Sequence, residues 1–565
     1  MLCTRCRDQR HARGGERVDE NSAATYPNYR PAVMGRHGIV ASAHYLASMA
    51  GLRVLMDGGN AVDAAVATAA TLNVVEPYMS GLGGDGLMAI TLPGASAPII
   101  LDYSGGAPAE ASLATIARDR MTQGPMALLV PGAPGGWFAA LERYGNLPAE
   151  RVFADAIRLA EHGAPVSHRN VEFFSIGAPQ IAPYSNAVET FMPGGVVPRA
   201  GSLLRQPKLA TTMRRLVEGG AAEFYRGSLG REVVAAVRAA GGVLSEDDLA
   251  TFQVEWQEPV SIDYHGWQVF APPPPCAGFQ YLQTIKMLED DDLVALGHNS
   301  AAYIHLLIEA IKLAEADRME YTQRQVDHAA LLTADYTRSR RAQIDPAAAR
   351  YGTGERWNSP ESRDPRAVQP GTPRFTRNAH EHTTHFATAD GNGMAVNVTQ
   401  SLGNPFGCGF MAGETGLMLN NFLHWTDHDP DSPNMLASGK KMENCMAPPQ
   451  VYRDGRFVMT MGTPGSWGIP QTQTQAILNV LAHGMHVQQA IEQPRFRHVA
   501  GFGIAVESRV PESVTDELRA LGHDVQRIPA WSWLVGGMQG IYRDPESGVL
   551  LGGADPRRDG YAVGW

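Results

Sequence analysis

Residues 383–401 constrain the fold most, because they read as two extended arms joined by a tight turn. Thr384, Phe386 and Thr388 alternate with other side chains, and Met394, Val396 and Val398 repeat the period of two. Between them, Asp390-Gly391-Asn392-Gly393 supplies the turn chemistry of a hairpin. The pattern predicts an antiparallel β-hairpin with Thr383 at its leading edge. Ser401 closes the second arm, where its hydroxyl comes back alongside Thr383.

Helical signals surround this hairpin. Residues 41–56 and 60–75 are Ala-rich and predict two packed helices, the second apolar enough to lie buried between layers. From Ser300 to Arg318, Leu307, Ala310, Ile311 and Ala314 recur at helical spacing, with His305, Glu309, Lys312 and Glu315 on other faces. This predicts an amphipathic core helix. Pro272 to Pro275 predict a rigid extended turn between a strand and a helix. After Thr383, residues 457–461 and 503–507 predict short strands and 471–482 a helix. Periodicity therefore indicates the α/β class, compatible with a sheet sandwich covered by helices on both sides. The polar, Arg- and Pro-rich stretch 339–381 predicts a mobile segment.

Composition narrows the partners. A chain of 565 residues with 44% hydrophobic side chains can bury a large core, and its net charge of −11 with no Lys/Arg block argues against nucleic acid or an anionic membrane. A small molecule is the expected partner. Residues 1–30 contain no apolar signal-like core, and no later run reaches about 18 unbroken apolar residues. A soluble cytoplasmic protein is expected, with residues 1–33 a disordered tail and Met34 an alternative start.

Five cysteines do not form a disulfide framework, and Cys3-x-x-Cys6 is only half of a zinc spacing. His380-Glu381-His382-Thr383-Thr384-His385 is not a zinc-protease motif. Its outer histidines stand five residues apart, whereas helical zinc ligation needs them four apart on one face. No metal or cofactor is expected.

Thr383 carries chemistry on one condition. A threonine hydroxyl becomes an activated nucleophile when the preceding peptide bond is cut, because the new α-amine then serves as its base. A mobile segment upstream suits such a cleavage, since the severed ends must separate.

The residues that sharpen this reading form ordered blocks. They include Thr383 onward, Gly413-Glu414-Thr415-Gly416-Leu417-Met418-Leu419-Asn420-Asn421, Gly462-Thr463-Pro464-Gly465-Ser466, Pro494-Arg495-Phe496 and Gly553-Ala554-Asp555-Pro556-Arg557. Upstream, Gly58-Gly59-Asn60-Ala61-Val62-Asp63-Ala64-Ala65 and Gly81-Leu82-Gly83-Gly84-Asp85-Gly86 complete the pattern. Over roughly residues 35–565 the chain resembles the γ-glutamyltranspeptidase family of N-terminal-nucleophile hydrolases.

The resemblance implies an αββα sandwich, self-cleaved into a large subunit (34–382) and a small subunit (383–565) that stay together as a heterodimer, which could itself pair. It implies that Thr383 forms an acyl-enzyme and that Ser401, in place of the family's second threonine, positions its amine. Gly465 and Ser466 match the paired-glycine loop whose backbone N–H groups hold the oxyanion. Asp85 and Glu414 are expected to fix loops. The stretch from His424 to Lys441 corresponds to the lid that covers the site in some relatives.

The substrate side departs from the family. Ser104 stands where an arginine holds the glutamyl α-carboxylate, and Gly403, Phe422 and Trp425 stand where Asn, Gln and Asp hold the α-amine. Asn444 and Cys445 replace two adjacent serines. A zwitterion would leave its charges unpaired there, at a cost of several kcal/mol. The implied activity is hydrolysis of a non-γ-glutamyl amide: a small acid amide such as oxamate, or one with an apolar acyl group against Phe422 and Trp425. Two alternatives stand beside it, a γ-glutamyl hydrolase or transferase and a non-catalytic ligand-binding relative.

Overall fold

Two seven-stranded antiparallel sheets form the centre of the molecule. The computed structural model describes residues 26–350 and 382–565. One sheet runs in the order Tyr561–Gly564, Gly38–Ser42, His382–Asp390, Ala395–Gly403, Asp85–Thr91, Ile99–Asp102, Glu255–Gln257. The other runs Val33–Gly35, Leu550–Ala554, Gln539–Arg543, Arg456–Gly462, Gln450–Arg453, Trp267–Ala271, Val260–Tyr264. The hairpin lies at the heart of the first sheet, with Thr383 opposite Ser401 and Ala389 opposite Ala395.

Helices cover both outer faces, which makes the architecture an αββα sandwich. Tyr45–Met56 and Ala61–Val75 lie on the first sheet, and every residue of the second helix is buried, as its composition predicts. Asn60 and Asp63 form a reciprocal capping box at its start. Gly278–Met287 and Ile469–Leu481 cover the second sheet. Between the sheets, Ala387, Ala389 and Ala395 of the hairpin pack with Phe270, Tyr452, Phe457 and Ile541 of the facing sheet. Small residues on one sheet accept large ones from the other, which keeps the layers close.

Predicted strands appear at Arg456–Gly462 and Gly503–Glu507, and the predicted proline turn joins strand Trp267–Ala271 to helix Gly278–Met287. Helix Ala301–Tyr321 corrects the amphipathic expectation. His305, Glu309, Lys312 and Glu315 are all buried, because elements that follow much later in sequence cover them. Lys312 Nζ pairs with Glu309 Oε1 at 2.7 Å, His305 Nδ1 meets His523 Nε2 at 2.8 Å, and His498 Nδ1 meets Glu315 Oε2 at 2.8 Å.

The stretch 339–381 also needs correction at its start. Residues 339–350 finish helix Ala334–Arg341 and continue in turns, and the buried Arg340 donates to Asp317 Oδ2 at 3.1 Å and Leu313 O at 2.9 Å. Residues 351–381, including His380 and Glu381, lie outside the described residues, as do Cys3 and Cys6. Near the other end, the Arg30 guanidinium lies over the Tyr561 ring at 4.5 Å and Val33–Gly35 pairs with Leu550–Ala554. Among the described residues no helix is long and apolar enough to cross a membrane.

Candidate active site

The pleat of strand His382–Asp390 sends successive side chains to different layers. Ala387 and Ala389 face the other sheet, whereas Phe386 joins the helix-side core and Thr388 Oγ1 donates to Ala61 O at 2.7 Å. Thr383 and His385 therefore share the inter-sheet face, and Thr384 turns toward the helices, where its hydroxyl donates to Glu76 Oε2 at 3.0 Å. A register shift separates His382 from Thr383. The His382 ring stands edge-on to Phe173 at 5.2 Å and lies 5.1 Å from Trp533.

Ser401 joins the Thr383 hydroxyl to the carbonyl before it. Thr383 Oγ1 donates to Ser401 Oγ at 3.3 Å, and Ser401 Oγ donates to His382 O at 2.8 Å while accepting from Gly403 N at 2.8 Å. Ser401 thus polarises the His382 carbonyl. Gly84 presses on the same strand: a Cβ there would stand 2.2 Å from Ser401 O, so only glycine allows the Gly81–Gly86 loop this approach.

The second sheet delivers the loop with Gly465 and Ser466. Strand Arg456–Gly462 ends against His385, since a Cβ on Gly462 would stand 2.2 Å from His385 Cε1. His385 lies two residues from Thr383 on the same face, so residues 463–468 leave the sheet beside strand His382–Asp390. Burial pushes the His385 imidazole down to about 3, and its Nδ1 meets Thr399 Oγ1 at 2.9 Å. Gly465 has φ +133° and Ser466 φ +56°, a left-handed conformation that is uncommon for a serine. Thr463 Oγ1 accepts from Gly537 N at 3.0 Å and steadies the turn.

The residues expected on the substrate side split into two groups. Phe422 and Trp425 lie on one short helical turn, Phe422–Trp425, with ring centroids 4.9 Å apart, and Trp425 lies 6.1 Å from Trp467 of the Ser466 loop. The Arg318 guanidinium covers the other side of this cluster, 3.8 Å from the Trp467 ring centroid, and its Nη1 pairs with Glu443 Oε1 at 2.5 Å. Glu443 precedes Asn444 and Cys445, which brings those two residues to the same neighbourhood; both are buried, and Cys445 forms no disulfide among the described residues. Gly403 has φ +95°, and a Cβ on it would stand 2.2 Å from Asn421 Oδ1.

Ser104 belongs to a different constellation. Its N–H donates to Asp102 Oδ1 at 2.8 Å and its hydroxyl bonds the same oxygen, while Asp102 Oδ2 pairs with Lys441 Nζ at 2.8 Å. Lys441 also reaches Glu255 Oε1 at 3.0 Å. The stretch from His424 to Lys441 is fastened over residues 102–116 by that pair, by Ala107 N to Lys440 O at 3.0 Å and by His428 Nε2 to Ile116 O at 3.0 Å.

Several buried donors here lack hydrogen-bond partners among the described residues: Trp425 Nε1, Asn444 Nδ2, and Arg318 Nε and Nη2. Sequence reading missed Arg318 and Lys441 because nothing local marks a basic residue as buried beside a distant aromatic. It also missed Glu76, although an acid directly after the apolar helix Ala61–Val75 is an available signal. Asp85 Oδ1 accepts from Gly132 N at 2.8 Å, and Glu414 pairs with Lys208 at 2.7 Å, so both tie loops.

His305, Glu309 and His523 are the one set of metal-ligating groups brought within 4.8 Å of one another among the described residues. Most of their ligating atoms already bond within the protein; His523 Nδ1 has no hydrogen-bond partner among the described residues. His305 Nε2 meets Asp345 O at 2.8 Å, and Glu309 accepts from Lys312 and from Arg350 N.

The sequence profile named Gamma-glutamyltranspeptidase matches residues 47–565. The acylase ACY 1 proenzyme of Pseudomonas sp. is 34% identical over 547 residues, covering 94% of each chain. The glutathione hydrolase proenzyme of Bacillus subtilis is 32% identical, covering 96% of this chain and 93% of its own. The oxamate amidohydrolase proenzyme of Klebsiella pneumoniae is also 32% identical, covering 94% and 98%. Among solved structures, a cephalosporin acylase from Bacillus halodurans superposes with a TM-score of 0.87 at 32% identity, covering 96% of this chain and 98% of that one.

Proposed function

The chain belongs to the γ-glutamyltranspeptidase family and is an amide hydrolase of that family, and on that premise we propose that Thr383 is its nucleophile after self-cleavage of the His382–Thr383 bond. The observation that carries this reading is the Ser401 bridge, which meets the Thr383 hydroxyl at 3.3 Å and the His382 carbonyl at 2.8 Å. Attack by Oγ on that carbonyl carbon forms an ester as the C–N bond breaks and the nitrogen gains a proton. Water then hydrolyses the ester, leaving His382 as a carboxylate and Thr383 with a free amine. The three curated relatives described above are all named as proenzymes, which supports the same maturation here.

In the mature enzyme, the Thr383 amine takes the hydroxyl proton as Oγ attacks the substrate carbonyl. Its reference pKa of about 7.7–8.0 lets it do so near neutrality. The amine product leaves with that proton, and water resolves the acyl-enzyme. Backbone N–H groups of Gly465 and Ser466 are the proposed oxyanion donors.

The acyl group is proposed to be non-γ-glutamyl and rich in hydrogen-bond acceptors. Trp425 and Asn444 present buried N–H groups with no hydrogen-bond partner among the described residues, and leaving such donors unmade costs about 1–3 kcal/mol each. A small acid amide, oxamate among them, would supply the missing acceptors, with Arg318 behind Trp467 as the nearby cation. An α-ammonium group would find no carboxylate at position 425. The oxamate amidohydrolase relative supports this choice, whereas the glutathione hydrolase relative supports the γ-glutamyl alternative.

Intact mass of purified protein, incubated with oxamate, aryl and alkyl amides and γ-glutamyl amides, tests both levels. Fragments meeting at His382/Thr383 together with consumption of a non-glutamyl amide are the expected result. Glutamate release from glutathione would replace the substrate assignment. A persistent single chain consuming no amide would overturn the nucleophile assignment in favour of a ligand-binding relative.

A further inference from the structure

Glu76 is a buried acid set one residue away from the nucleophile. It follows helix Ala61–Val75, and its N–H closes that helix on Leu72 O. Its side chain is 1% exposed, and Oε2 accepts from Thr384 Oγ1 at 3.0 Å. Arg558 is the cation whose charge acts on it. A carboxyl so placed is costly to bury and gains only a hydroxyl in direct contact, which is an arrangement enriched at functional sites.

The geometry assigns Glu76 a role in the proposed reaction: we infer that it is a positioning residue for Thr383, holding the strand end through the Thr384 hydroxyl and biasing the charge of the new amine. This rests on the reading of Thr383 as the nucleophile. Thr384 is the next residue after Thr383 and faces the helix layer, so its hydrogen bond to Glu76 anchors the strand from behind while Thr383 faces the opposite sheet. The irregular step between His382 and Thr383 makes such an anchor necessary, because the ladder is interrupted there.

The charged groups around Glu76 come from every neighbouring element. Arg558 and Asp559, beyond strand Leu550–Ala554, act on it with opposite sign, and the Tyr78 phenol lies on its own segment. Arg169 of helix His168–Ile181 acts on Arg558 in turn. The Arg558 guanidinium lies 4.6 Å from the Phe173 ring centroid, and that ring packs on His382. Burial pushes the Glu76 carboxyl up to about 7, with Arg558 and the Thr384 hydroxyl pulling against it. It thus titrates in the range where a threonine α-amine does. A carboxylate at this place favours the ammonium form of the amine; a neutral group favours the free base.

The test compares wild-type protein with E76Q, T384V, T384S and T383A, measuring maturation by intact mass and kcat/KM against pH on the amide that the wild type consumes. E76Q keeps an acceptor for the Thr384 hydroxyl but cannot ionise, and its ascending pH limb is expected about one unit lower than that of the wild type. T384V is expected to slow maturation about tenfold and T384S to restore it. An E76Q limb superimposed on the wild type would overturn the proposal. Should E76Q fail to fold, T384V maturing at the wild-type rate would do so. An inactive T383A beside unchanged E76Q and T384V rejects Glu76 alone, whereas an active T383A rejects the nucleophile reading and the Glu76 role with it.

Discussion

Ser401→Ala is the most exacting test of the site's geometry. The Ser401 hydroxyl is fully buried and donates at 2.8 Å to the His382 carbonyl oxygen, on which negative charge develops in the proposed attack by Thr383. Removing one preorganised donor from a developing oxyanion costs about 2.7–4 kcal/mol. At about 1.36 kcal/mol per tenfold, maturation should slow by about 10²–10³. A separate cost falls on stability. Gly403 N–H donates at 2.8 Å to the same hydroxyl, and orphaning it should remove about 1–3 kcal/mol. The two effects separate in the assay, because intact mass of fresh precursor gives the rate and the urea midpoint gives the stability. Ser401→Thr keeps the hydroxyl and should mature far faster than the alanine variant, less a packing penalty of about 1–3 kcal/mol in stability for the added methyl. S401A maturing at the wild-type rate, or S401T as slow as S401A, would refute the claim that this hydroxyl activates the bond.

Thr383→Ala should abolish both cleavage and turnover, read by intact mass and product formation; retention of either would reassign the nucleophile. In that uncut background, Arg318→Met should destabilise by about 3–5 kcal/mol by stranding Glu443, and adding Glu443→Leu should recover most of the loss, as urea midpoints would reveal. The fully buried His44 imidazole is pushed down to about 3 by burial, so the folded state resists protons that the unfolded chain binds below about 6.5. Stability from this group is therefore lost as pH falls from about 6.5 toward 3, at up to about 1.4 kcal/mol per unit. His44→Asn retains an acceptor for Leu46 N at the helix start and should remove that dependence; parallel stability curves for the two proteins against pH would contradict it.

How much of the site was legible follows from particular residues. The hairpin was readable because alternation and a glycine turn are local, and the register follows once the turn is set, which is why Thr383 meets Ser401. The burial of helix Ala61–Val75 was readable because eleven of its fifteen residues are Ala, Val or Leu. Helix Ala301–Tyr321 misled for the opposite reason. Its polar residues look solvated until His498 and His523, far along the chain, pair with Glu315 and His305. Arg340 misled likewise, since its aspartate partner lies 23 positions earlier and fastens residues that read as mobile into the fold.

By itself the sequence determined the family, the α/β class, the hairpin and the threonine on which the proposed chemistry turns, because periodicity, turn residues and motif order are properties of neighbouring positions. Tertiary structure alone decided that Ser401 bridges the Thr383 hydroxyl and the His382 carbonyl, that Glu76 stands behind Thr384, and that Arg318 covers Trp467. Such contacts depend on distances between layers and on the exclusion of water, and the spacing of residues along a chain encodes neither.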